Sequence, residues 1–229
     1  MRKIAVITGA SKGIGRACSE IFLKNNYTVV NASRTDINPL KNKNCHFIKT
    51  DVSSEKDVKR LFEKVIKEFN RVDVLICNAG FGRFSNLADS KTEDFDEMFA
   101  VNVKGVYLCN RYVLKSMLNK KSGTIINISS IAGKNGIATA SVYSATKHAV
   151  MGLSSSLMSE VRKDNIRVVA VCPGSVDTNF FDDPSALLSA RRNTILSAKD
   201  VAEVCFLSAN LPQNAVMNEV EIRPLNPVK

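Results

Sequence analysis

Short apolar runs alternate along this chain with longer stretches in which apolar residues recur every three or four positions. The runs Lys3–Ile7, Tyr27–Ala32, His46–Lys49, Val72–Cys77, Thr124–Ile128, Arg167–Cys172 and Glu219–Ile222 predict seven strands. Helical spacing predicts helices near 14–25, 55–69, 93–119, 142–163 and 199–209. In the first of these, Ala17, Ile21 and Phe22 form the expected apolar face. Val- and Ile-rich strands joined by helical crossovers predict a doubly wound α/β fold, with a parallel sheet covered on both faces. One crossover departs from the pattern. Thr35–Asn44 is polar, contains Pro39 and has no apolar stripe, so the second helix is expected to be missing.

The punctuation between the first strand and the first helix carries chemistry. Thr8-Gly-Ala-Ser-Lys-Gly-Ile-Gly15 places Gly9, Gly13 and Gly15 in a Gly-x-x-x-Gly-x-Gly turn, with Ser11, Lys12 and Ile14 between them. Glycines let a backbone turn tightly and approach phosphates, and the helix start offers free N–H groups. Strand, glycine turn and helix in this order suit a dinucleotide pyrophosphate.

The end of the second strand distinguishes the two common dinucleotides. An acid there bonds the ribose 2′-OH of NAD, whereas Arg accommodates the 2′-phosphate of NADP. Here Ser33 stands in the acid's place and Arg34 follows, with Lys12 as a second cation. The pair predicts NADP(H), and Asp36 is read as a loop residue beyond the strand. Asp51-Val52 and Asn78-Ala79-Gly80 follow the third and fourth strands, at the carboxyl ends where such sheets bind ligands. Taken alone, Asp51 or Ser53 reads as a helix N-cap and Asn-Ala-Gly as an ordinary turn.

Tyr143-Ser-Ala-Thr-Lys147 stacks a phenol and an amine one helical turn apart. The strand Ile125-Ile-Asn-Ile delivers Ser129 and Ser130 just upstream. Reducing a carbonyl needs a hydride on carbon and a proton on oxygen. A phenol, with a usual pKa of ~10, exchanges protons poorly near neutrality. A neighbouring cation lowers that value, so Lys147 is expected to tune Tyr143. A serine hydroxyl can hold the substrate oxygen beside the phenol.

Taken in order, Thr8–Gly15, Asp51, Asn78–Gly80, Asn102, Ser130, Tyr143, Lys147 and Pro173-Gly174 resemble the short-chain dehydrogenase/reductase family over nearly the whole chain. The resemblance implies a Rossmann-type sheet of about seven strands in the order 3-2-1-4-5-6-7. Tyr143 would be the acid/base, assisted by Ser130, with Lys147 on the nicotinamide ribose. Asp51 and Val52 would hold the adenine, and Asn78, Ala79 and Gly80 would back its ribose. Asn102 would anchor a water linking the lysine to solvent. Pro173–Thr178 would cup the nicotinamide, with Val176 and Thr178 at its carboxamide. The ending Met217–Pro224 lacks the Asn/Asp-Gly-Gly of bacterial 3-oxoacyl-carrier-protein reductases and looks closer to sepiapterin-type carbonyl reductases and the NADP-dependent hydroxy-acid dehydrogenases near them.

Composition narrows the rest. The 229 residues, 45% hydrophobic and without a linker-like stretch, suit one domain, with a cofactor half near 1–120 and a catalytic half near 121–229. No apolar run approaches the ~20 residues of a membrane helix, so a cytoplasmic protein is expected. The net charge of +10 is dispersed, without the aromatic-interleaved basic block of a nucleic-acid binder. Six scattered cysteines and two isolated histidines predict neither disulfides nor a metal site.

The expected partner is a small carbonyl or alcohol substrate. Phe180-Phe181 and Leu187-Leu188 are candidate walls of its pocket. Lys120, Lys121, Arg162 and Lys163 offer a candidate rim for an acidic carrier protein, or plain surface charge. The resemblance also implies a homodimer or homotetramer through the stripes Val103, Val106, Tyr107 and Val150, Leu153, Leu157. Three functions remain open: a carbonyl reductase, a 3-oxoacyl thioester reductase, and a non-catalytic dinucleotide-binding regulator.

Overall fold

A computed structural model of the chain describes residues 2–36, 40–182 and 192–228. Seven parallel strands form one sheet: β1 (Ile4–Thr8), β2 (Thr28–Ser33), β3 (Cys45–Lys49), β4 (Val74–Cys77), β5 (Gly123–Ile128), β6 (Ile166–Pro173) and β9 (Glu219–Ile222). Their order is β3-β2-β1-β4-β5-β6-β9, as the resemblance implies. A two-residue pair, β7 (Val176–Asp177) with β8 (Leu196–Ser197), stands apart from the sheet. Such a pair is too short to leave a periodic signal in the sequence.

The strands are buried because both faces are covered, and their alternation sorts the core. Ile4 and Val6 of β1 join Leu75 of β4 and Val168 of β6 on one face. That side packs α2 (Glu55–Phe69), α4 (Gly105–Lys120) and α5 (Ser141–Val161). Ala5 and Ile7 point the other way, with Ile76 and Val169, towards α1 (Gly13–Lys24) and α6 (Ala198–Ala209). This is the period-two geometry of a strand applied to two hydrophobic layers. The exposed edges are polar. Glu219 and Glu221 on β9 both pair with Lys134, and β3 is only partly buried.

No helix occurs among the described residues 34–36 and 40–44 of the second crossover, in line with its polar sequence. Several other expectations need adjustment. The core face of α1 is set by Cys18 and Phe22, while Ala17 and Ile21 are half-buried at its margin. The N-cap of α2 is Ser54, which accepts from the Asp57 N–H at 3.3 Å, instead of Asp51 or Ser53. The expected helix at 93–119 is α3 (Thr92–Phe99) joined to α4 by a π-turn at Ala100–Lys104. A single wide turn leaves helical spacing almost unchanged, so periodicity does not reveal it.

Among the described residues, no helix is long and apolar enough to cross a membrane. No group of three or more His, Cys, Asp or Glu side chains there is placed to hold a metal. The cysteines are free thiols, and all except Cys45 are buried.

Candidate active site

The glycine turn is pinned from behind by β4. Thr8 Oγ1 accepts from the N–H groups of Asn78 and Ala79, both at 3.0 Å. Asn78 Nδ2 returns bonds to the carbonyls of Thr8 (3.0 Å) and Gly9 (3.1 Å). Gly9 and Gly13 have positive φ, +63° and +56°. A Cβ on Gly9 would lie 2.9 Å from Ala79 Cα, and one on Gly15 only 2.5 Å from the Gly9 carbonyl oxygen. These positions require glycine for space as well as for conformation. The α1 N-cap, Lys12, supplies no side-chain cap, so the first N–H groups of the helix remain available. Ser11 and Ile14 are half-buried in the same turn.

At the end of β2, buried Ser33 donates to Asn31 Oδ1 (2.8 Å) and the Thr35 carbonyl (2.9 Å). Arg34 and Lys12 are exposed and make no ion pair among the described residues. Asp51 Oδ1 receives both the N–H (2.9 Å) and hydroxyl (2.7 Å) of Ser53, which fixes the bend after β3. Val52 is buried against the position a Cβ would take on Gly105, 2.8 Å away.

The carboxyl end of β5 brings the second group together. Ser130 caps the turn after β5 by accepting from the Ala132 N–H at 3.1 Å, and its hydroxyl is close enough to Tyr143 to pull the phenol's pKa down. Ser129, by contrast, donates to the Lys147 carbonyl at 3.1 Å and is buried. Lys147 Nζ donates to the Ile128 carbonyl at 2.9 Å and lies 5.6 Å from the centre of the Tyr143 ring. A Cβ on Gly80 would lie 3.7 Å from Nζ, so the loop after β4 approaches the same amine.

Burial shifts both partners of the phenol–amine pair. Burial raises the phenol to about 12, and the Ser130 hydroxyl only partly opposes it. Burial also lowers Lys147 to about 8. Desolvation thus moves each group towards its neutral form.

Asn102 sits on the π-turn and is fully enclosed. Its Oδ1 accepts from the Phe81 N–H at 3.0 Å, and Nδ2 donates to the Phe81 carbonyl (2.8 Å) and Thr146 Oγ1 (3.2 Å). The side chain therefore staples the loop after β4 to α5, and its amide is fully engaged in that task. Thr146 was not singled out by sequence, since only its i+3 position after Tyr143 marks it.

The strand β6 ends in Pro173, and Gly174 donates to the Ile222 carbonyl at 2.8 Å. Val176 is buried on β7. Thr178 comes within 3.4 Å of the place a Cβ would occupy on Gly13, so this loop closes over the glycine turn. Phe180 then reaches Tyr143, and so does Phe84, which sequence reasoning missed. Its contact spans some sixty positions and has no local signature. Leu187 and Leu188 lie outside the described residues, as does the side chain of Phe181.

The candidate basic rim is on the opposite side. Lys120 and Lys121 immediately precede β5, and Arg162 and Lys163 precede β6. They mark the amino ends of strands whose carboxyl ends carry Ser130. At ~3.3 Å per residue, the length of β5 separates them from the site by roughly 20 Å.

Comparison with known proteins agrees with this geometry. Residues 3–186 match the family described as short chain dehydrogenase. An uncharacterized oxidoreductase of Staphylococcus saprophyticus is 34% identical, over 97% of both chains. The structure of ElxO with NADP bound superimposes with a TM-score of 0.89 at 33% identity, covering 97% of each chain. A 3-ketoacyl-(acyl-carrier-protein) reductase from Brucella melitensis, complexed with NADH, gives a TM-score of 0.91 at 26% identity, again over 97% of each chain.

Proposed function

The chain belongs to the short-chain dehydrogenase family, and on that premise we propose that it is an NADPH-dependent reductase interconverting a ketone or aldehyde with its alcohol. The observation that carries the proposal is the placement of Lys147 between the Ile128 carbonyl and the Tyr143 ring, at the carboxyl end of β5 where Ser130 follows.

The residues present fit the cofactor. Uncapped N–H groups at α1 and a glycine turn with no room for side chains suit a pyrophosphate. Arg34 and Lys12, exposed and without carboxylate partners among the described residues, suit a 2′-phosphate. ElxO, similar over nearly the whole chain, is seen with NADP, whereas the Brucella reductase is seen with NADH. Ser33 in place of an acid favours the former here. When bound, NADPH supplies the hydride.

The chain's own residues then handle the oxygen. Ser130 holds the carbonyl oxygen, and Tyr143 donates its proton to it as charge develops. Lys147 holds a buried positive charge behind the phenol, which favours the phenolate left after transfer. Asn102 keeps the loop after β4 against α5 and so holds Gly80 beside the amine.

A 3-oxoacyl thioester reductase remains the second reading, favoured by the fold shared with the Brucella enzyme. The distant basic residues at 120–121 and 162–163 lend it no support. A non-catalytic regulator would have no use for the phenol–amine pair. The oligomer belongs to the same proposal: a groove of about 650 Å³ between α4 and α5 exposes Tyr107 and is lined by Val103 and Leu153. Of the expected stripe, Val106, Val150 and Leu157 face the chain's own core.

The test is NADPH oxidation, followed at 340 nm, against simple ketones, aldehydes and a 3-oxoacyl thioester. Consumption with the simple carbonyls supports the proposal. Consumption with the thioester alone favours the second reading, and none with any compound favours a regulator.

A further inference from the structure

Tyr143 does not face an open polar cleft. The rings of Phe84 and Phe180 lie with their centres 5.6 Å from that of Tyr143 and 5.9 Å from each other. The three rings come from separate parts of the chain: the loop after β4, the segment after β7, and the first turn of α5.

The loop bearing Phe84 is fixed at both ends. Phe81 is held by Asn102, and the Ser85 N–H donates to the Thr139 carbonyl at 2.9 Å. Thr139 itself has φ +63°, uncommon for a β-branched residue, so this crossing between loops is held against local preference. Gly82 makes room for the rings. A Cβ there would lie 2.8 Å from Phe84 and 3.0 Å from Phe180.

Among the described residues, several basic side chains of the catalytic half and the loop after β4 are engaged elsewhere. Lys147 is directed at the Ile128 carbonyl. The Arg83 guanidinium lies over Phe81, 5.2 Å from its centre, and 3.9 Å from Asp94. Arg192 bonds Asp177 at 3.0 Å, and Lys134 is shared by Glu219 and Glu221. A chain with a net charge of +10 thus presents an aromatic surface at its candidate reacting centre.

We infer that Phe84 and Phe180 are specificity-determining residues, forming an aromatic wall that selects carbonyl compounds with an uncharged, flat apolar flank and rejects those with a carboxylate beside the carbonyl. The inference rests on the reductase reading. A ring or apolar chain gains contact with the phenyl faces, whereas a carboxylate loses its hydration without finding an unpaired cation among the described residues.

The matched pair for the test is methyl benzoylformate and benzoylformate, which carry a neutral methyl ester or a charged carboxylate next to the same aryl ketone. Methyl pyruvate serves as the ester without a ring. The wild-type protein is expected to favour the aromatic ester over the acid by at least about 100-fold in kcat/KM, and over methyl pyruvate by about 10-fold. Phe84→Ala and Phe180→Ala should raise KM for the aromatic ester by about 10-fold and erase its advantage over methyl pyruvate, with Phe84→Leu and Phe180→Leu intermediate. NADPH affinity, measured by fluorescence, should be unchanged in all four and reports that they fold. Equal use of acid and ester, or variants in which the ring preference persists, overturns the aromatic wall while leaving the reductase intact. Absence of NADPH oxidation with these and with a broad carbonyl panel overturns both.

Discussion

Lys147 Nζ bonds the Ile128 carbonyl at 2.9 Å and stands 5.6 Å from the centre of the Tyr143 ring. The amine is thus held behind the phenol by the end of the strand that delivers Ser130. This placement buries a cation whose partner is a neutral carbonyl, and the pH dependence of stability should show it. Lys147 is lowered to about 8 by burial, so the unfolded chain holds more protons between that value and the usual ~10.5. Stability should therefore rise with pH across this window. Relative to Lys147→Met, the wild type should gain about 2 kcal/mol between about pH 7 and about pH 9.5. Urea midpoints of the two proteins at both pH values check the sign; a constant difference would contradict it.

Removing the phenolic hydroxyl should separate chemistry from binding. Tyr143→Phe keeps the ring against Phe84 and Phe180 but takes away the proton donor. Turnover should fall by about 1,000-fold or more, while NADPH affinity stays within about 3-fold. Stopped-flow turnover and fluorescence titration measure the two quantities. Near-wild-type turnover would remove Tyr143 from the mechanism.

The cofactor preference should follow the two exposed cations. Arg34→Asp exchanges a phosphate partner for a ribose partner, and should weaken NADPH by about 10- to 100-fold while improving NADH. Lys12→Ala should weaken NADPH by a smaller factor of about 5 to 10. Kd values for both cofactors in each variant provide the comparison. An unchanged ratio in Arg34→Asp would mean that the phosphate lies elsewhere.

Gly15 tests the packing of the turn. Its Cβ would meet the Gly9 carbonyl and Asn78 Nδ2, each at 2.5 Å. Gly15→Ala should destabilise the protein by about 1–3 kcal/mol and weaken either dinucleotide, since the turn must shift to make room. Thermal melts with and without NADPH would show both effects.

The groove between α4 and α5 predicts an association equilibrium. Tyr107→Glu and Leu153→Glu place charge on partly exposed positions of those helices. Sedimentation velocity should show an oligomer for the wild type and a smaller species for the double variant, with the α/β circular dichroism spectrum retained. A monomeric wild type would refute the oligomer.

Much of this architecture is legible without coordinates, because its strands are buried on both faces. Val, Ile and Ala fill β1, β4 and β6 so densely that only a covered parallel sheet accounts for them. The glycine turn is legible for another reason: positive φ and 2.5–2.9 Å clearances at Gly9 and Gly15 exclude other residues, so the requirement is written directly into residue type. Tyr143 and Lys147 share a helix, and their i, i+4 spacing is itself a distance.

What the tertiary structure alone decides are relations between distant segments. It separates Ser130, at the phenol, from Ser129, which serves a backbone carbonyl. It moves the basic residues at 120–121 and 162–163 to the far end of the strands. It also joins Phe84 and Phe180 across nearly a hundred positions. The sequence by itself determined the alternation of strands and helices, the dinucleotide turn and the phenol–amine pair, since each depends on local periodicity or steric necessity, whereas the strand order came only as what the family resemblance implied. The burial that drives Tyr143 up and Lys147 down, and the aromatic wall in front of them, arise from how segments pack, and packing is a property of the folded whole.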